Sequence, residues 1–106
     1  MSTFSVRKWS HDHPPAPQAI EENMRAEGVA CYRWSNDPGD IYGAHDHTYD
    51  KIIYVLQGSI TFGLPQRGEK IVLGAGDRLY LPAGITHDAV VGREGVVCLE
   101  GHRPVR

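Results

Sequence analysis

A chain of 106 residues has room for one domain and one core. With 41% hydrophobic and 23% charged residues, it has the make-up of an ordinary globular domain. Thirteen acids against eleven bases leave a formal charge of -2, so neither nucleic acid nor an anionic membrane is an expected partner, and no apolar run is long enough to span a bilayer.

The opening stretch, MSTFSVRKWSHDH, lacks the apolar centre of a secretory signal, so a cytoplasmic protein is expected. Its mixture of charge, serine and histidine, ending in Pro14-Pro15, reads as an arm or edge strand. His11 and His13 repeat a His-x-His spacing, but prolines follow and nothing supplies a third ligand; a solvated arm is expected. Trp9 and Trp34 read as anchors of the arm and of the first strand. Residues 17–27 are rich in helix formers, with Ile20 and Met24 on one face and Gly28 placed to end the helix. Residues 1–28 therefore form an arm and a short helix, and 29–106 the main body of one domain.

Beyond Gly28, short β-branched and aromatic runs alternate with Gly, Pro and Asp clusters, the pattern of an all-β sandwich or barrel. Strands are predicted over 29–34, 41–47, 51–57, 59–64, 70–73, 78–81, 87–91 and 96–100. Turns are predicted at Gln57-Gly58 and from Gly92 to Gly95, among others. Cys31 and Cys98 belong to no metal-type spacing and read as reduced core cysteines.

Two segments carry candidate chemistry. His45 and His47, two apart on a strand, present imidazoles to one face and suit Zn, Fe, Mn or Ni, but such a site needs a further donor. His87 follows Gly84, whose backbone freedom permits the tight turn that returns it to a neighbouring strand.

Together the segments resemble the paired signature of the cupin superfamily. There, a glycine, five residues and His-x-His lead to a glutamate and, six residues later, a glycine; a second glycine, five residues and Pro-x-Gly-x-x-His lead to an asparagine. This chain matches at Gly39, His45, His47 and Gly58, and again at Gly76, Pro82, Gly84 and His87, with the likeness running over about 29–100. The resemblance implies a double-stranded β-helix, or jelly-roll, barrel with one short N-terminal helix. It also implies one divalent transition metal (Fe, Mn, Ni or Zn) on His45, His47 and His87, and a homodimer. The N-terminal arm could add to a neighbour's sheet.

Lys51 stands where the family has its glutamate, and Val91 where it has its asparagine. An ammonium about 5 Å from a divalent ion would cost on the order of 5–7 kcal/mol at an effective dielectric near 20. Three outcomes are open. Lys51 turns away to a carboxylate such as Asp50, Asp46 or Glu100, leaving three histidines and water. Alternatively it is held neutral as a catalytic base or imine-forming amine. Or the metal is absent and the histidines line a pocket.

Strand parity puts Glu100 on the face of Cys98, where it could replace the missing glutamate or balance Lys51; as an edge residue it would instead be a surface carboxylate. Asp50 could serve if a bulge turned it inward. Tyr42, Tyr49, Tyr54 and Phe62 could line the pocket, against the commoner fate of core packing, and His102 is expected to be exposed. Two functions follow: a metal-dependent enzyme, dioxygenase- or isomerase-like, acting on a small organic molecule, or a non-catalytic small-molecule binding or sensing module without metal.

Overall fold

The computed structural model describes residues 4–104. Its strands are β1 (Ser5–Arg7), β2 (Cys31–Asn36), β3 (Ile41–His45), β4 (Tyr49–Leu64), β5 (Glu69–Gly74), β6 (Arg78–Leu81) and β7 (His87–Pro104), with one helix, α1 (Pro17–Ala26). All pairings are antiparallel. The expected jelly-roll with one short helix is present.

The main correction concerns the long strands. Gln57-Gly58 does not turn the chain, and neither does the stretch from Gly92 to Gly95; each lies inside one continuous strand, at register irregularities between β4 and β7. Gly58 there has φ +77°, and a Cβ on it would overlap the Gly95 carbonyl, so no side chain fits. These bends let β4 and β7 serve two leaves. The first half of β4 and the second half of β7 sit between β6 and β2, and β1 closes the far edge against β6. The other halves sit between β5 and β3.

The leaves enclose Val55, Leu64, Leu73, Leu79, Leu81, Val91, Val96 and Cys98, an apolar plug at one end of the barrel. Outside the first leaf, α1 lays Ile20 and Met24 over Ile52, Tyr54, Leu56 and Leu99, as its four-residue spacing predicts. Pro17 opens the helix, where a missing N–H costs nothing, and Gly28, at φ +79°, ends it. Both faces of early β4 are thus covered, which is why Ile52, Ile53, Val55 and Leu56 form an unbroken apolar run.

The arm is built in. β1 pairs with β6 of its own chain and so covers that edge of the first leaf. Asp77 fixes it, accepting hydrogen bonds from Lys8 Nζ at 2.9 Å, the Trp9 amide at 2.7 Å and the Gly74 amide at 2.8 Å. Trp9 lies on Gly76, at φ +90°, where a Cβ would overlap the indole. His11 and His13 are exposed, as expected, and stack on each other near Trp9.

Burial alone would raise the pKa of Asp77, but the Lys8 ammonium and the two amides outweigh it and hold the carboxyl below its usual value. A carboxyl with a depressed folded-state pKa contributes stability above its unfolded pKa and loses it as pH falls through the folded one. Melting temperature measured from pH 6 to pH 2 should therefore fall more below about pH 4 for the native chain than for Asp77→Asn. Parallel curves would contradict this role.

Candidate metal centre

The bend between Tyr42 and His45 in β3 brings His45 opposite His87, the first residue of β7. His47 lies just past β3, where its carbonyl accepts the Gly84 amide at 2.9 Å; this bond ties the two motif segments together. The predicted strand to 47 stops at His45, yet the rings still converge. One potential ligand atom from each of His45, His47 and His87 lies within 4.8 Å of the others.

Ring orientation is set from behind. His45 Nδ1 lies 2.6 Å from the Gly43 carbonyl and His87 Nδ1 3.0 Å from the Ile85 carbonyl. A carbonyl only accepts, so each Nδ1 donates to it, which leaves Nε2 as the nitrogen that can face a metal. His47 Nε2 and His87 Nε2 are buried with no hydrogen-bond partner. Burial, reinforced by Lys51 and the neighbouring rings, pushes the His47 pKa down to about 4. Burial also lowers that of His87, despite the Ile85 carbonyl. Near neutral pH both are uncharged imidazoles, the form that binds metal. Buried nitrogens without partners are costly in a folded protein unless something binds them, so the donor set fits a divalent transition metal.

The histidines open onto a cavity of about 320 Å³, walled by Tyr32, Trp34, Tyr42, Tyr49 and Phe62. Tyr49 and Phe62 thus line it, as the sequence suggests. Tyr54 does not: two positions on β4 separate inward residues, Lys51 and Ile53 point in, and Tyr54 points out beneath α1, where its hydroxyl accepts from Arg7 Nη2 at 2.6 Å. Asp50 also faces away, accepting from the Tyr80 hydroxyl and the Ala83 amide, both at 2.9 Å. It braces the turn before His87 and offers nothing to the histidines. Asp46 is exposed.

Glu100 is no surface carboxylate. It is 5% exposed within the cavity wall, with Lys51 Nζ 3.7 Å from Oε2. It accepts from the Tyr32 hydroxyl at 2.7 Å and Trp34 Nε1 at 3.0 Å, and pairs with His102 Nε2 at 2.5 Å. Burial alone would raise its pKa, but Lys51, His102 and Tyr32 hold it below the usual carboxylate range. Lys51 therefore pairs with Glu100 without leaving the cavity. Burial lowers the lysine's own pKa, and Glu100 works against that shift.

Sequence reasoning missed two members of this group. Trp34 is a wall and a donor to Glu100, not a plain strand anchor. His102, expected to be exposed, stacks on Tyr49 with ring centroids 3.9 Å apart. Parity along β7 from Cys98 through Glu100 points to His102, and the pairing of Trp34 with Cys98 points to Trp34. The cysteines are free, and burial followed by Glu100 pushes the Cys98 thiol up to about 12, which leaves it inert at neutral pH.

The model of the cupin domain matches residues 32–102, the span that carries every one of these cavity groups. The chain is a cupin. Among solved structures it is similar to an RmlC-like cupin from Shewanella frigidimarina (26% identical, TM-score 0.62, covering 74% of this chain and 68% of that one). The polyketide cyclase RemF from Streptomyces resistomycificus is 26% identical with TM-score 0.65, over 74% of this cupin and 56% of the cyclase. DMSP lyase DddQ from Ruegeria pomeroyi is 25% identical with TM-score 0.64, over 71% of this cupin and 38% of the lyase. No curated protein matches the sequence. Among the described residues of this cupin, no helix is long and apolar enough to cross a membrane.

Proposed function

We propose that this cupin is a metal-dependent enzyme acting on a small organic molecule held in the aromatic-walled cavity, by dioxygenase-like or isomerase-like chemistry. The observation that carries the reading is the pair of buried, partnerless Nε2 atoms of His47 and His87 beside His45. His45, His47 and His87 would hold Fe, Mn, Ni or Zn, which when bound supplies Lewis-acid or oxygen-activating chemistry. The rest falls to the chain. The Gly43 and Ile85 carbonyls fix the imidazole tautomers, and the aromatic walls restrict water and orient a flat substrate. Glu100, in the cavity wall, is held by His102 Nε2 at 2.5 Å from Oε2 and by the Tyr32 hydroxyl and Trp34 Nε1. Two neighbours of similar fold, a polyketide cyclase and a DMSP lyase, are enzymes, which supports catalysis over passive binding.

A metal-free binding module is the competing reading, favoured by the cation Lys51 at the cavity wall. Elemental analysis of protein purified without a polyhistidine tag separates the two. About one transition metal per chain is expected; no bound metal, even after soaking with each of the four ions, leaves only the binding module.

A further inference from the structure

The Lys51 ammonium has an unfinished set of partners. Its contact with Glu100, at 3.7 Å, is an ion pair too long for a hydrogen bond. Glu100 is engaged by shorter contacts from Tyr32, Trp34 and His102. Lys51 therefore lines the cavity beside the histidines with N–H donors to spare, and is only 9% exposed. An ammonium has no acceptor capacity and cannot itself be a ligand while charged. What completes it must bring an acceptor oxygen, and an anionic one makes the stronger, charge-assisted bond.

The charges point the same way. Lys51 and Glu100 cancel, and the three imidazoles are neutral ligands, so no protein carboxylate offsets a divalent ion there. The walls, with the rings of Tyr32, Trp34, Tyr42, Tyr49 and Phe62, favour a flat π-system. A volume of about 320 Å³ lies at the small end of ligand cavities, sized for one ring or a short conjugated chain.

We propose that Lys51 is a substrate-recognition residue whose ammonium binds the carboxylate or enolate oxygen of a planar, conjugated or aromatic acid, with a second oxygen of that molecule facing His45, His47 and His87. The proposal deepens the enzyme reading and rests on it for the second oxygen only. At the position where a carboxylate would come from the protein, this chain places a cation, and the anion comes from the substrate. A buried charge-assisted hydrogen bond discriminates strongly between an anion and its neutral analogue.

The test compares salicylate with salicyl alcohol, which keeps the ring and hydroxyl but has no carboxylate. Affinities are measured by calorimetry on native protein and on Lys51→Met, with metal content determined for both. Salicylate should bind K51M at least about tenfold more weakly, while salicyl alcohol binds the two proteins alike. Equal salicylate affinities overturn the proposal. If K51M does not fold, Lys51→Met/Glu100→Gln, which leaves no lone buried charge, is measured in its place and must show the same loss. Loss of discrimination in a chain that takes no metal sinks the enzyme reading and leaves Lys51 in its role. Metal-loaded protein indifferent to the carboxylate sinks Lys51 alone.

Discussion

Zn(II) added to metal-free protein is expected to raise the melting temperature of the native chain and to move that of His87→Ala by only about 2 °C. A ligand that binds only the folded state stabilises by about 4 kcal/mol at a thousandfold excess over its Kd, which for a domain near 100 residues is on the order of 15 °C. His87 is 2% exposed, and its Nδ1–H is aimed by the Ile85 carbonyl, so its Nε2 is buried and oriented from behind. Losing one of three protein ligands should weaken binding on the order of a thousandfold, more than the 10- to 100-fold typical of losing a supporting partner. The two proteins are compared as shifts on adding metal, because truncating a buried ring also lowers the metal-free baseline. His11→Ala, on the exposed arm, should keep the full shift. An undiminished shift in His87→Ala would remove this histidine from the centre.

The second large effect belongs to Glu100. Replacing it with alanine leaves Lys51 as a buried cation without a counter-charge, and takes the acceptor from Tyr32, Trp34 and His102. Breaking one side of a buried pair costs about 3–5 kcal/mol, a large share of the stability of a small domain. Urea unfolding of Glu100→Ala should show that loss. Lys51→Met/Glu100→Leu, which removes both charges and keeps the volume, should recover most of it. A double variant no more stable than Glu100→Ala would mean that the other donors, not the ion pair, dominate.

What could be read in advance depended on whether a residue type has one structural use or several. The histidine motifs were legible because spacing two and the Pro-x-Gly turn leave few ways to place three imidazoles, and the rings converge even though the strand stops at His45. Gly58, Gly92 and Gly95 suggest turns in the sequence because a turn and a bulge call for the same residue, and only the partner strand decides between them. Tyr54 stays open between pocket and core in the sequence because early β4 is apolar on both faces. Hydrophobicity carries no parity there; counting from the motif position Lys51 would have supplied it. Glu100 stood open between surface and pocket because its surroundings come from β2 and β4, remote in sequence. His102 lies near the chain end, where exposure is the ordinary expectation, and its stacking on Tyr49 follows from β7 running on to Pro104.

The continuity of β4 and β7 bears on how the protein breathes. Lys51, Phe62, His87 and Glu100 all sit on these two ribbons, each of which is woven through both leaves. Prying open the ligand chamber from below would mean unzipping the ladder that holds the whole molecule together. Amide protons of residues 52–55 and 97–100 should accordingly exchange with deuterium only at the slow pace of complete unfolding, while those of β1 and β3 at the margins trade far sooner. Exchange of the cavity's contents should therefore need no opening of the β4–β7 ladder.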